Sequence, residues 1–101
     1  MKVHFIGIGG FGMSGLAEYL INQGNIVSGS DISDSNIIKR LLENGAAIGL
    51  NHSALNIKKD TDLVVYSSAI ASDNVDYIEA KRLKIETIRR AEMLGRIVND
   101  K

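Results

Sequence analysis

The sequence predicts an α/β protein with a doubly wound, mainly parallel sheet, and three observations carry that expectation. Val3 to Ile8 and Leu63 to Tyr66 are short runs rich in apolar residues, the pattern of strands buried on both faces of a parallel sheet. Stretches with apolar residues at helical spacing alternate with such runs in the order β-α-β-α-β-β-α-β-α. Four glycines, Gly7, Gly9, Gly10 and Gly12, lie between the first strand and the first helix, where a tight turn is needed. Together they describe a Rossmann-like sheet of about five strands in three α/β/α layers.

Each element has its own signal. Met13, Leu16, Ala17, Leu20 and Ile21 recur at helical spacing, so the first helix runs from Met13 to about Gln23, with Gly24 placed to end it. Ile26 to Ser30 is a short second strand ending in polar residues. Ser33, Asp34 and Ser35 offer capping oxygens to a second helix carrying Ile37, Ile38, Leu41 and Leu42, which Asn44-Gly45 closes. Ala46 to Gly49 is a weak third strand, and Asn51 to Asp62 a polar loop with room for one helical turn. After the Leu63 to Tyr66 strand, Ser72-Asp73 caps a helix through Val75, Ile78 and Leu83. Ile85 to Ile88 is the last strand, and Arg89 to Val98 a closing helix or connection.

Composition narrows the class. A chain of 101 residues holds one domain with a real core and is too short for two. Lysine plus arginine equals aspartate plus glutamate at 12 each, so no net field draws the chain to nucleic acid or an anionic membrane, and any bound anion must be held locally. There is no cysteine, which excludes disulfides and thiolate metal sites. The first residues read as neither signal peptide nor membrane span, so a cytoplasmic location is expected.

Gly7-Ile8-Gly9-Gly10-Phe11-Gly12 fits G-x-G-x-x-G in its proper setting between strand and helix. Gly7 permits the turn, Gly9 and Gly10 let backbone approach a ligand oxygen, and Gly12 lets the helix pack close. Unpaired N–H groups of the first helical turn, and the helix dipole, then favour a diphosphate. The plainer alternative is a close strand-to-helix turn with no ligand. Asp31 stands at the end of the second strand, about 19 residues after Gly12, where an acid meets the ribose or base of a nucleotide, or caps the next helix.

Ser67, Ser68, Ala69 and Ile70 follow the fourth strand at the same carboxyl edge, leaving room for a ligand or merely ending the strand. His52 can reach that edge from its loop, though a loop histidine is more often inert. His4 reads as a strand side chain. Arg89-Arg90 is either a solvated pair or a partner for phosphate. Asp60, Asp62, Asp73 and Asp76 sit in loops and caps, where solvated or capping roles are the default. No G-x-x-x-x-G-K-[ST] loop, nucleophile elbow or catalytic triad occurs, so the chain reads as a binder without chemistry.

The run Gly7 to Ala17 resembles the opening of the Mur ligases of peptidoglycan synthesis, in particular the branch that joins L-alanine to UDP-N-acetylmuramate. Gly29-Ser30-Asp31, Gly49 to His52, Val65 to Ile70 and Arg89 to Leu94 agree with the same family's first domain, so the resemblance spans nearly every residue. It implies that residues 1–101 are a single N-terminal nucleotide-sugar-binding domain, with the central ATPase and C-terminal domains lying outside them. It implies ATP and magnesium for the whole enzyme, which activates the muramyl carboxylate as an acyl phosphate for attack by the L-alanine amine. This chain alone would then carry no cofactor, no metal and no catalytic residue. Carried over residue by residue, the resemblance gives the diphosphate to Gly9, Gly10, Phe11, Gly12 and Met13, and the uridine to the surroundings of Asp31 and His52. It puts Ser68, Ala69 and Ile70 nearest the phosphate and sugar. The implied partners are UDP-N-acetylmuramic acid and the enzyme's other two domains, with neither nucleic acid nor membrane.

Two other readings share the spacing. Gly7, Gly9, Gly12 and Asp31 would serve NAD in a dehydrogenase equally well, though the continuation through Gly15 and the Arg90 to Leu94 segment have no assigned task there. A regulatory nucleotide-sensing module would bind a nucleotide and pass on a conformational change.

Overall fold

A computed structural model of the chain describes residues 1–8, 12–31, 36–49, 57–67, 70 and 73–99. Five strands form one sheet: β1 (Lys2–Ile6), β2 (Ile26–Ser30), β3 (Ala47–Gly49), β4 (Leu63–Tyr66) and β5 (Glu86–Arg89). Four helices accompany them: α1 (Met13–Asn22), α2 (Asn36–Glu43), α3 (Val75–Arg82) and α4 (Arg90–Asn99). The strand order is β3-β2-β1-β4-β5 and every pairing is parallel. The expected α/β class and the count of strands therefore stand, and the sheet is wholly rather than mainly parallel.

The two directions of winding put helices on both faces. Connections from β1 run outward one way through β2 to β3, and the connection from β4 runs the other way to β5. Right-handed crossovers place helices of opposite travel on opposite faces. Accordingly Leu16, Ala17 and Leu20 of α1, Ile38 and Leu41 of α2 and Met93 of α4 pack with Val3, Phe5, Val27, Leu63 and Val65 in one cluster. Ile6 and Val64, pointing the other way, pack with Ala80 of α3 and with Ile57. β1 is thus buried on both faces, Val3 and Phe5 in one layer and Ile6 beside the buried His4 in the other.

Most boundaries fall where the sequence puts them. Glycines in the left-handed region follow α1 and α2, Gly24 at φ 89° and Gly45 at φ 106°. The cap of α3 differs from expectation. Asn74, not Ser72-Asp73, is its N-cap, and its side-chain oxygen accepts from the N–H groups of Asp76 at 2.9 Å and Tyr77 at 3.3 Å. Asparagine is as good a cap as serine or aspartate, so one position's shift was invisible locally. The expected caps Ser33, Asp34 and Ser35, with Ser72 and residues 51–56 of the Asn51 to Asp62 loop, lie outside the described residues.

One further residue departs from its default role. Asp76, expected solvated or capping, is fully buried, with Oδ2 3.5 Å from His4 Nε2. His4 is equally buried on β1, its Nδ1 2.8 Å from Ser28 Oγ, while its Nε2 has no hydrogen-bond partner. It is a strand side chain, as its place implied, set in a polar seam between β1, β2 and α3. The loop carboxylates keep their ordinary place: Asp60 pairs with Lys2 Nζ, and Asp62 accepts from the Lys2 N–H at 2.7 Å.

Candidate functional site

Strand register brings the sequence-selected positions to one edge. Ile6 aligns with Ser30 on one side and with Tyr66 on the other, and Tyr66 aligns with Arg89. Gly7, Asp31, Ser67 and Arg90 therefore each lie one residue beyond the last paired position at the carboxyl edge. The winding reverses between β1 and β4, and ligands of open α/β sheets bind outside the strand ends at such a switch point.

The turn out of β1 is fastened to the neighbouring strand. Gly7, at φ 78°, and Ile8 both donate their N–H to the Ser30 carbonyl, at 2.8 and 3.1 Å. Ile8 then drives its side chain over β2, where only a glycine leaves space: a Cβ on Gly29 would sit 2.7 Å from Ile8 Cβ. An isolated glycine within a strand signals such close approach, and that signal was present in the sequence. On the far side Ile70 donates its N–H to the Ser67 carbonyl at 3.1 Å, and its Cδ1 lies 3.4 Å from where a Gly7 Cβ would stand.

Helix α1 opens this edge with bare donors. Its N-cap is Gly12, left-handed at φ 77°, with no side-chain capping hydrogen bond and no acidic residue in the first turn. The first N–H groups of a helix have no partner within it and carry the positive end of its dipole. Met13 is fully buried in the core, so its side chain is turned away from this edge. Asp31 is 8% exposed and its N–H donates to the Gly49 carbonyl at 2.9 Å, which fixes it at the head of β2.

Of the ten selected site residues, the structure describes Gly12, Met13, Asp31 and Ile70 and gathers them along the switch-point edge. Gly9, Gly10, Phe11, His52, Ser68 and Ala69 lie outside the described residues. Arg89 and Arg90 part company. Arg89 ends β5 and is exposed, whereas Arg90 begins α4 and lays its side chain along Gly12, a neighbour that their shared place in the sequence does not reveal.

The edge suits an anion. No group of three or more His, Asp or Glu among the described residues is placed to hold a metal ion, and the sequence has no P-loop lysine for ATP. No helix among the described residues is long and apolar enough to cross a membrane.

Fold and edge together define a doubly wound, all-parallel α/β domain with its switch point between β1 and β4. Its lineage is more particular: residues 2–101 match the family described as "Mur ligase family, catalytic domain", and the chain belongs to the Mur ligase family. It is 54% identical over 100 residues to a UDP-N-acetylmuramate--L-alanine ligase of Pelobacter propionicus, covering 99% of this chain and 22% of that protein. A protein of the same name from Acetivibrio thermocellus is 56% identical over 96 residues, 95% of this chain and 20% of its own length. Among solved structures, the UDP-N-acetylmuramate-alanine ligase of Thermotoga maritima superposes with a TM-score of 0.94 at 34% identity, over 99% of this chain and 23% of that one. A murein peptide ligase of Psychrobacter arcticus gives 0.85 at 26% identity, over 95% and 20%. The chain thus spans about a fifth of the length of these relatives. An NAD-dependent epimerase/dehydratase of Bacillus halodurans shares the fold alone, at a TM-score of 0.57 and 20% identity, over 88% of this chain and 50% of that one.

Proposed function

We propose that this chain is the domain that holds the UDP end of UDP-N-acetylmuramate in a ligase adding L-alanine during peptidoglycan synthesis. The observation that carries the reading is the uncapped, acid-free N-terminus of α1, set by a glycine turn at the switch point of a Mur ligase domain. Such a terminus offers N–H donors and a positive dipole to a diphosphate. The Gly9 to Met13 segment takes the diphosphate, Asp31 and His52 flank the uridine, and Ser68, Ala69 and Ile70 border the phosphate and sugar. Activation of the carboxylate with ATP and magnesium belongs to the part of the relatives' length that this chain does not span, so the chain anchors a substrate and leaves the bond making to other domains. It works in the cytoplasm, where the nucleotide sugar and ATP are available, with those domains and the nucleotide sugar as partners.

Calorimetric titration of the chain with UDP-N-acetylmuramate, UDP and NADH in parallel tests the reading. Both uridine ligands are expected to bind and NADH to give no heat of binding. NADH binding with no response to UDP would sink it and favour a dehydrogenase-type site.

A further inference from the structure

A Cβ placed on Gly12 would lie 3.1 Å from Arg90 Cδ, 3.2 Å from Nη1 and 3.3 Å from Nε, so the guanidinium and its stem rest directly on the turn that opens α1. Arg90 is itself the first residue of α4. A cation at that position opposes the dipole of its own helix, and here it stands against the positive end of a second helix as well. Neither terminus relieves it. The first turn of α1 has no acidic residue, and the one acid in the first turn of α4, Glu92, pairs with Arg96 at 3.2 Å. Among the described residues no carboxylate pairs with Arg90, although Arg40 and Arg82 each hold one and Arg96 two.

Three sources of positive potential meeting without an anion are an arrangement that loses free energy in the ligand-free protein and regains it when a multiply charged anion arrives. We infer that Arg90 is a ligand-binding residue whose guanidinium, lying across Gly12, grips the diphosphate from the side opposite the backbone donors of α1. This rests on the reading of the glycine turn as a diphosphate site, and it deepens that reading by singling out Arg90 from a pair whose role the sequence leaves open. A planar guanidinium donates two parallel hydrogen bonds to phosphate oxygens, which lysine at the same place does not reproduce. Arg89, one residue earlier and exposed at the end of β5, takes no part.

The test compares the 101-residue chain with Arg90→Gln, Arg90→Lys and Arg89→Gln. Each is titrated with UDP and with sodium pyrophosphate at constant ionic strength, and each is melted without ligand. Arg90→Gln is expected to weaken both ligands by about tenfold or more, the scale of a lost charged hydrogen bond. Arg90→Lys should recover part of that loss, and Arg89→Gln should bind as the parent does. The ligand-free Tm of Arg90→Gln should equal or exceed the parent's, because the substitution removes a repelled charge. Equal affinities for the parent and Arg90→Gln would overturn the inference, as would a loss shared by Arg89→Gln or one accompanied by a lower ligand-free Tm. If pyrophosphate binds through Arg90 but UDP binds no tighter, the uridine reading fails and Arg90 stands. If the parent binds neither ligand, both fall.

Discussion

Gly29 shows how much one hydrogen atom can decide. A Cβ there would come within 2.6 Å of Ile8 Cδ1 and 2.7 Å of its Cβ, and the latter is too close to the backbone to swing aside. Ile8 is fully buried, so it cannot escape outward. Gly29→Ala is expected to cost about 1–3 kcal/mol, the usual penalty of overpacking. The measurement is the urea midpoint against the parent, with the slope of the transition unchanged, and an unaltered midpoint would show that Ile8 gives way freely. The same substitution should lower UDP affinity, because Ile8 leads directly into the glycine turn. At this scale the sequence was legible where a residue type has one dominant reason to be present, as at Gly7 and Gly12. It was opaque at Asp76 and His4, whose burial depends on which face of α3 meets β1. No local pattern carries that information.

Elements are tied to each other by a few surface pairs with a definite pH sense. Arg96 of α4 reaches back to Glu86 of β5, donating to Oε1 at 3.3 Å and Oε2 at 2.6 Å, and also to Glu92 Oε2 at 3.2 Å. The hydrogen bond from Arg96 holds the Glu86 carboxyl below the usual glutamate range. A carboxyl whose folded pKa is depressed adds stability above its unfolded pKa and loses that stability as pH falls through the folded value. Acidification from neutral through the glutamate range should therefore loosen α4 from β5, and added salt should do the same. Tm measured against pH for the parent and for Glu86→Gln checks this: the variant should show a shallower acid decline. The effect is small, as for any exposed pair, and coincident profiles would remove it. Apolar spacing foretold α1 and α2 through Leu16, Ala17, Leu20, Ile38 and Leu41, which do meet the core, whereas in α3 the spaced Val75 and Ile78 are exposed and Asp76 and Ala80 are buried instead. The exact cap of α3 was not foretold, since Ser72, Asp73 and Asn74 offer equivalent oxygens in a row.

For the molecule as a whole, binding and folding are one equilibrium. If UDP is held by the folded sheet edge and not by the unfolded chain, UDP at a hundred times its Kd should add about 2.7 kcal/mol to stability. Thermal melts at rising UDP would show it as a steadily climbing Tm, and a Tm indifferent to UDP would contradict binding at an edge that exists only in the folded state. That edge was legible as a set of residues, since strand ends in a parallel sheet collect at one side by topology. The pairing of Arg90 with Gly12 was not, because it requires β5 to lie two strands from β1 and α4 to fold back over it.

The same strand order has a consequence for how the chain is made. β1 precedes the other four strands in the chain and is the centre of the finished sheet, where Val3 pairs with both Val27 and Leu63. Its second edge stays open until Leu63 to Tyr66 has been synthesised, so the strand waits through β2, α2 and β3 for its second partner. Sheets of this kind fold slowly and expose sticky edges while they do. The nascent chain is at its most vulnerable before β4 emerges, and a holding chaperone would find its hold on the residues from Val3 to Ile6.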